Sequence, residues 1–260
     1  MTCKNCQTEL LENDDFCRKC GGKIIRNRLS FKNLFEHLSE TFFNYDNKLL
    51  RTFVQLFKKP EDVIVGYIDG VRKKYINPIS FFGLALTLSG ISIFIIKTWY
   101  IEHLDMSNLF EGLNVPKDVL NASTNKSLEY NSLIYSLFVP IFALISWITF
   151  LEKRYNFTEH IIIYLYSMSL MSVLMVVFTQ ILLFLAPEYY LLFSILSFPL
   201  MFVYHSYILT RIFKLSIAQL FIKSFIAIAL ILLVYVGITV ISGIIMFFSG
   251  AYDPEDFRPK

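Results

Sequence analysis

The sequence predicts an all-α integral membrane protein with about five transmembrane helices, preceded in the chain by a short N-terminal cysteine module. Of the 260 residues, 55% are hydrophobic and only 17% are charged, and the mean hydropathy is +0.53. Soluble chains carry about 25% charged residues, so this chain lacks the polar side chains that a soluble globule of its size needs. The apolar residues fall into long uncharged runs, and all four cysteines lie within the first twenty residues.

Five apolar runs are candidate membrane spans. Each is close to or above the roughly 18–20 residues that a helix needs to cross the hydrocarbon core. None contains Lys, Arg, Asp or Glu, and a charge at the centre of a span costs about 2.5–3.5 kcal/mol on insertion scales. The third and fourth runs are separated only by Pro187–Glu188, which predicts a tight helical hairpin. The runs are Ile79–Ile96, Leu133–Leu151, Ile161–Ala186, Tyr189–Leu209 and Ser224–Phe248.

The distribution of Lys and Arg predicts the orientation of these spans. If the N-terminus is cytoplasmic, 19 of the 24 basic residues lie inside and 5 outside, so the positive-inside rule places the C-terminus outside. No apolar run precedes the cysteines, so we expect no cleavable signal peptide. The predicted organisation is a metal module at 1–25, a cytoplasmic helical belt at 26–78, a transmembrane domain at 79–248 with an external loop at 97–132, and a tail at 249–260.

The four cysteines form two Cys-x2-Cys knuckles, Cys3-Lys-Asn-Cys6 and Cys17-Arg-Lys-Cys20, ten residues apart. Two residues between thiolates let one tight turn present both sulfurs to a single metal, and a second turn completes a tetrahedral site. This pattern predicts a closed four-cysteine zinc ribbon with Zn²⁺ as cofactor. A rubredoxin-like iron site and a thiol redox pair are weaker alternatives. Two disulfides would need an oxidising compartment, which the predicted orientation excludes.

The function of such a ribbon depends on what it contacts. A segment this short has too small a core to fold unaided, so the metal supplies the fold, contributing on the order of 10–16 kcal/mol. The ribbon is then either a structural element or a docking module for a protein partner. Residues 1–23 carry four basic and four acidic side chains. A phosphate-binding surface would be basic, so this balance disfavours nucleic acid as a partner.

The belt at 26–78 contains three amphipathic segments. The first carries Phe31, Leu34, Phe35, Leu38 and Phe42, and the others are Lys48–Lys59, which stops at Pro60, and Glu61–Asp69, which ends at Gly70. Their apolar faces either enter the headgroup boundary, with cations on anionic lipid, or pack on each other and on the span ends. In the first case the candidate lipid-headgroup residues are Lys58, Lys59, Arg72, Lys73 and Lys74.

A block within this belt is similar to a known family. Thr52-x3-Leu56-x3-Pro60, then residues 67–75 (Tyr-Ile-Asp-Gly-Val-Arg-Lys-Lys-Tyr), then Pro78, resembles the signature of an uncharacterised bacterial membrane protein family, domain of unknown function 3667. That family places a short four-cysteine ribbon before the block and several spans after it, so the likeness covers residues 1–82. Val71 stands where the pattern leads us to expect Lys. The resemblance implies a bacterial inner-membrane protein and brings no known activity.

Little in the spans indicates chemistry. The candidate intramembrane polar residues are Gln180 in the third span and His205 near the cytoplasmic end of the fourth, with His160 at the edge of the third. Such a histidine is more often structural than functional. Paired carboxylates, nucleophile motifs and phosphate loops are absent from the sequence, so we expect no enzyme.

Three functional hypotheses follow from the sequence. The first is a non-enzymatic scaffold or adaptor that recruits a partner through its cytoplasmic ribbon. The second is a transporter or channel for a small or lipidic substrate, with the ribbon as a regulatory cap. The third is zinc or redox sensing, which would require a reversible metal site.

Overall fold

The computed structural model describes residues 2–22, 24, 48–100 and 125–248. The chain divides into two compact units, residues 1–47 and residues 48–260. The amphipathic segment predicted around residues 31–42, most of the loop predicted at 97–132 and the tail at 249–260 lie outside the described residues. The first unit holds the four cysteines, and the second unit is helical.

The second unit confirms the predicted all-α membrane architecture. Five of its helices are long and apolar enough to cross a membrane. Strands are absent from the described residues, and an isolated bridge joins Thr2 and Glu9 in the first unit. In chain order the helices are α1 Lys48–Lys58, α2 Pro60–Ile68, α3 Pro78–Trp99, α4 Asn131–Thr149, α5 Phe157–Leu185, α6 Tyr190–Phe213 and α7 Ile217–Phe248. A 3₁₀ turn, Pro187–Tyr189, joins α5 to α6 and makes the expected tight hairpin.

Two spanning helices begin earlier than the uncharged runs because side chains cap them. The Asn156 side chain accepts a hydrogen bond from the Glu159 backbone at 3.0 Å, and the Glu159 carboxylate accepts one from the Asn156 backbone at 2.7 Å. Ser216 and Gln219 make the same reciprocal pair at 3.0 and 3.3 Å. Each pair satisfies backbone N–H groups that a helix start leaves open. The second pair starts α7 before Lys223 and so brings that cation into the helix.

The helix α5 is the centre of the transmembrane bundle. It packs against α3, α4 and α6, and every residue from Tyr166 to Ser172 is buried. Small side chains in this stretch allow close approach of the neighbouring helices. The helix α7 is peripheral, because none of its membrane-spanning window is buried within the chain. Most of α7 is therefore left uncovered by the other described helices.

Polar side chains join the spans by hydrogen bonds. The Tyr135 hydroxyl donates to the Met168 carbonyl at 2.7 Å, and the Gln180 amide donates to the Ser92 hydroxyl at 2.6 Å. Such bonds satisfy groups that hydrocarbon would leave unpaired, and each is worth about 0.6–2 kcal/mol in a membrane. Tyr135 and Gln180 therefore fix α4 and α3 against the central helix.

Residues 48–77, the cap, close the predicted cytoplasmic end of the bundle, where α3 and α5 begin and α4 and α6 end. Leu56, Val63 and Ile64 are completely buried in a cluster that includes residues of α5 and α6. The Tyr204 hydroxyl donates to the Leu56 carbonyl at 3.2 Å. Arg211 binds Glu61 through two hydrogen bonds of 2.5 and 3.1 Å. Of the two arrangements left open by the sequence, the residues buried in this cluster adopt the second, packing on the spans, whereas Leu50, Val54 and Phe57 on α1 stay exposed.

The connector between α2 and α3 is held by a buried threonine. The Thr52 hydroxyl donates to the Lys48 carbonyl at 2.6 Å and accepts from the Ile76 backbone N–H at 3.0 Å. The Ile76 carbonyl in turn accepts from the Tyr166 hydroxyl at 2.7 Å. Thr52 itself has no exposed surface. Both backbone groups of Ile76 are thus satisfied by side chains just before the chain enters the first span.

A carboxylate holds the two connector residues just before Ile76. Asp62 accepts from the Tyr75 hydroxyl at 2.6 Å and pairs with the Lys74 ammonium at 2.9 Å. Both contacts hold the pKa of the Asp62 carboxyl below its usual value, and the hydrogen bond from Tyr75 has the larger effect. Gly70, with φ of +102°, makes the turn that reverses the chain after α2. The connector is therefore a defined structure rather than a loose linker.

We predict that Thr52→Val destabilises the second unit. The substitution keeps the side-chain volume but leaves the Ile76 N–H without its acceptor, which costs about 1–3 kcal/mol when the group is buried. The measurement is thermal unfolding of the detergent-solubilised protein. Thr87→Val is the matched control, because Thr87 is exposed on α3 and bonds only to the Gly83 carbonyl of its own helix. Equal melting temperatures for the two variants would contradict this role of Thr52.

Candidate metal centre and intramembrane cavity

The four cysteine sulfurs converge on one point. Their Sγ atoms all lie within 4.8 Å of one another. The Sγ atoms of Cys3 and Cys20 are 3.7 Å apart, and those of Cys6 and Cys17 are 3.5 Å apart. A tetrahedral ion with metal–sulfur bonds of about 2.3 Å would place its ligands about 3.8 Å apart, whereas a disulfide needs about 2.05 Å. All four are free cysteines. The spacing therefore fits one metal ion and does not fit two disulfides.

The first knuckle is a closed backbone turn. The Cys3 N–H donates to the Thr8 carbonyl at 2.9 Å, and the Gln7 N–H donates to the Cys3 carbonyl at 2.9 Å. Gln7 has φ of +60°, a left-handed conformation that is uncommon outside glycine. The turn places Cys6 opposite Cys3 at the base of the knuckle.

The second knuckle repeats this geometry fourteen residues later. The Cys17 N–H donates to the Gly22 carbonyl at 2.9 Å, and the Gly21 N–H donates to the Cys17 carbonyl at 2.8 Å. Gly21 has φ of +68° and occupies the position that corresponds to Gln7. The two knuckles are thus the same turn used twice, and glycine relieves the strained position in one of them.

Local hydrogen bonds prepare the sulfurs to bind a cation. The Thr8 hydroxyl lies 3.2 Å from the Cys6 sulfur. Hydrogen bonds from the Thr8 side chain and backbone lower the pKa of Cys6 to about 6. Hydrogen bonds from the Gly22 backbone and the Asn5 side chain also lower the pKa of Cys20. The thiolate is the form that binds metal, so these hydrogen bonds favour the binding form of Cys6 and Cys20, whereas the pKa of Cys17 is raised, to about 11.

The ribbon leaves two large apolar side chains outside its core. That core consists of Cys3, Leu10 and Cys17, with Cys6 and Ile24 packed against it. Leu11 and Phe16 are 59% and 56% exposed. The four-cysteine module therefore presents apolar surface that its own described residues do not cover.

The candidate headgroup cations have different surroundings. The Arg72 guanidinium lies 5.2 Å from the Tyr67 ring centroid, and Lys74 pairs with Asp62. These two residues therefore have structural contacts within the cap. The other three candidates are exposed on the surface of the second unit: Lys58, Lys59 and Lys73.

The two intramembrane candidates do not form one site. Gln180 bonds to Ser92, as described above. The His205 ring stacks on that of Tyr164, with centroids 5.3 Å apart. Because Gln180 lies sixteen residues beyond Tyr164 on α5, it is about 24 Å further along the helix. Gln180 is thus part of the helix packing, and His205 belongs to the opposite end of the bundle.

Two buried histidines at that end each keep one unsatisfied nitrogen. His205 Nδ1 lies 2.7 Å from the Met201 carbonyl oxygen and must donate to it, because a carbonyl can only accept. His160 Nδ1 lies 2.9 Å from the Ser146 hydroxyl. The Nε2 atoms of His160 and His205 are buried and have no hydrogen-bond partner among the described residues. Buried nitrogens of this kind require a specific explanation.

A cavity of about 270 Å³ lies beside His205, among α4, α5, α6 and α7. Most of its lining is apolar, and its polar lining includes Ser146, His205 and Lys223. The Lys223 ammonium donates to the Thr149 carbonyl at 2.7 Å and pairs with Glu152 at 2.7 Å. Lys223 was not predicted as a site residue, because a search for uncharged runs leaves it outside the last span. The Ser216-x-x-Gln219 capping pattern was the signal that could have extended α7 to include it.

One segment of the chain matches the model of a known protein family. Residues 46–90 match the family model described as "Protein of unknown function (DUF3667)". This match confirms the predicted family resemblance over the cap and the first part of α3, and it does not include the four cysteines. No curated protein and no solved structure matches the chain.

We predict that the purified full-length protein holds one metal ion per chain. Cys17→Ser should reduce this stoichiometry toward zero, because it removes a buried ligand from a site that three thiolates close poorly. Metal analysis after gel filtration measures the content. Lys19→Ala, in the same knuckle but exposed, is the control and should retain the ion. Full metal content in Cys17→Ser would show that the four sulfurs do not act as one site.

Proposed function

We propose that this multi-pass membrane protein is a non-enzymatic adaptor that docks a protein partner through its four-cysteine module. In this proposal the module binds zinc and lies on the cytoplasmic face of a bacterial inner membrane, with the C-terminus outside. The observation that carries the proposal is the exposure of Leu11 and Phe16 on a module whose core, among the described residues, does not include them. Exposed apolar and aromatic side chains are the usual anchors of protein interfaces.

The position of Leu11 is fixed by its own turn. The Leu11 N–H donates to the Asp14 carboxylate at 2.9 Å, and the Asp14 N–H donates to the Leu11 carbonyl at 3.2 Å. Arg18 contacts the same carboxylate group at 3.3 Å. A preformed turn loses less conformational entropy on binding than a flexible one, so more of the contact energy appears as affinity. The anchor is therefore presented in a defined geometry.

The adaptor proposal predicts that a crosslinker placed at position 16 captures a protein, because Phe16 would lie at the centre of the interface. We would replace Phe16 with benzoylphenylalanine in the full-length protein, irradiate native membranes and identify the adducts by mass spectrometry. The same crosslinker at Lys19, exposed on the neighbouring knuckle, is the positional control. Leu11→Ser should abolish capture at position 16, and Lys4→Ala should not.

Capture must also depend on the metal if the ribbon is the docking module. Cys3→Ser combined with Cys6→Ser should remove the adduct while the protein remains in the membrane. Adducts that consist only of lipid, or a protein adduct that survives both Leu11→Ser and loss of the cysteines, would contradict the adaptor role.

Transport of a small or lipidic substrate is a second candidate function, favoured by the cavity beside His205. This candidate predicts that purified protein in liposomes conducts at least one solute from a panel of small and lipidic compounds. His205→Ala should abolish this flux because it changes the cavity lining, and Gln180→Leu should retain it because Gln180 lies far from the cavity. Absence of flux across the panel would leave the adaptor as the sole proposal.

A further inference from the structure

Two adjoining spaces lie between the last helices of the second unit. The first is the cavity of about 270 Å³ beside His205, and the second is a groove of about 1020 Å³ between α6 and α7. Four residues line both spaces: Phe202, Ser206, Leu220 and Ser224. The groove and the cavity therefore adjoin along these four side chains, two of which are small serines.

The groove is accessible from the hydrocarbon region. Its lining includes Val203, Phe221 and Phe225, which are 63%, 70% and 75% exposed on two candidate spans. A molecule that enters between these side chains comes from the bilayer and must be largely apolar. The volume of the groove is at the upper end of the roughly 300–1,000 Å³ typical of small-molecule sites. An acyl chain has the shape and chemistry to occupy it.

The cavity requires a head that can both donate and accept hydrogen bonds. Because His205 Nδ1 donates to the Met201 carbonyl, Nε2 of the neutral ring is an acceptor, and it is buried without a partner among the described residues. Lys223 has three N–H groups; it donates to Thr149 and pairs with Glu152, and its Nζ also lies 5.3 Å from the Phe150 ring centroid. His205 Nε2 has almost no accessible surface, so a ligand hydroxyl that donates to it must first displace neighbouring side chains. A second ligand hydroxyl can accept from Lys223.

The charges around the cavity disfavour an ionic head. Lys223 is the one charged side chain among its described lining residues, and Glu152 already neutralises that charge at 2.7 Å. An anionic head would have to compete with Glu152, and a quaternary amine would meet a cation. A neutral head avoids both costs, which are large in a medium of low dielectric constant.

We propose that the cavity and the α6–α7 groove together bind a neutral, hydroxyl-bearing membrane lipid of the acylglycerol class. The glycerol head occupies the cavity, with hydroxyl groups directed to His205 and Lys223, and the acyl chain lies in the groove. This site is independent of the adaptor function, because it uses no residue of the four-cysteine module.

The test uses the full-length protein in nanodiscs and an oleoyl glycerol analogue that carries a diazirine in its acyl chain. The comparison probe is the corresponding methyl ester, which keeps the ester oxygens but has no hydroxyl donor. Irradiation followed by peptide mapping should place the glycerol probe on residues 202–228, with labelling about threefold to tenfold stronger than for the ester, the range expected for one or two net hydrogen bonds. Unlabelled monoacylglycerol should compete.

Two variants change the site in different ways. Ser206→Phe places a ring where the groove and the cavity adjoin and should remove labelling. His205→Phe keeps a ring against Tyr164 but removes the acceptor, so it should abolish the preference for the glycerol probe. Thr239→Phe, exposed further along α7 and outside both spaces, is the matched control and should change nothing.

Three results would overturn the proposal. Equal labelling by the two probes would show that the site does not select hydroxyl groups. Labelling spread evenly along α7, unchanged by Ser206→Phe, would show only bulk lipid contact. A crosslink from position 225 to a second copy of the chain, with no probe bound, would show that the groove is a protein interface.

Discussion

The structure of the second unit depends on one requirement, which is that the backbone must have its hydrogen bonds satisfied where it enters the bilayer. The connector before α3 is not helical, so its polar groups need other partners at the edge of a medium that offers none. Thr52 and Tyr166 supply them for Ile76, and Asp62 anchors the two residues before it. Once the connector is fixed, α1 and α2 are fixed against α5 and α6.

The family resemblance acquires a physical meaning from these contacts. The block of residues that resembles the family signature contains the groups that build the cap. Thr52 binds the connector, and Leu56 fills the cluster beneath it. Pro60 starts α2 and Pro78 starts α3, positions at which the missing N–H of proline costs nothing. The signature therefore describes how a helical pair is joined to the first candidate membrane span.

Sequence patterns were sufficient for the elements that depend on local chemistry. The five spans follow from uncharged runs, and the cysteine cluster follows from two short spacings that each close a turn. Patterns were insufficient where distant residues meet. The amphipathic patterns of α1 and α2 predicted that their apolar residues are buried. The patterns did not show whether lipid or protein contacts those residues. The pairing of Lys223 with Glu152 joins α7 to the segment after α4. The burial of His205 Nε2 without a partner results from four helices packing together, which no local sequence pattern reveals.

The helix α7 has a length that its neighbours do not match. Its 32 residues extend about 48 Å, whereas the hydrocarbon core is about 30 Å thick. Its described polar anchor is Lys223, near the start, and no residue of its spanning window is fully buried within the chain. A helix longer than the hydrocarbon core is accommodated by tilting or by extending beyond it. This adjustment falls on the span that the other described helices cover least, so the remaining spans keep their packing while α7 accommodates the excess length.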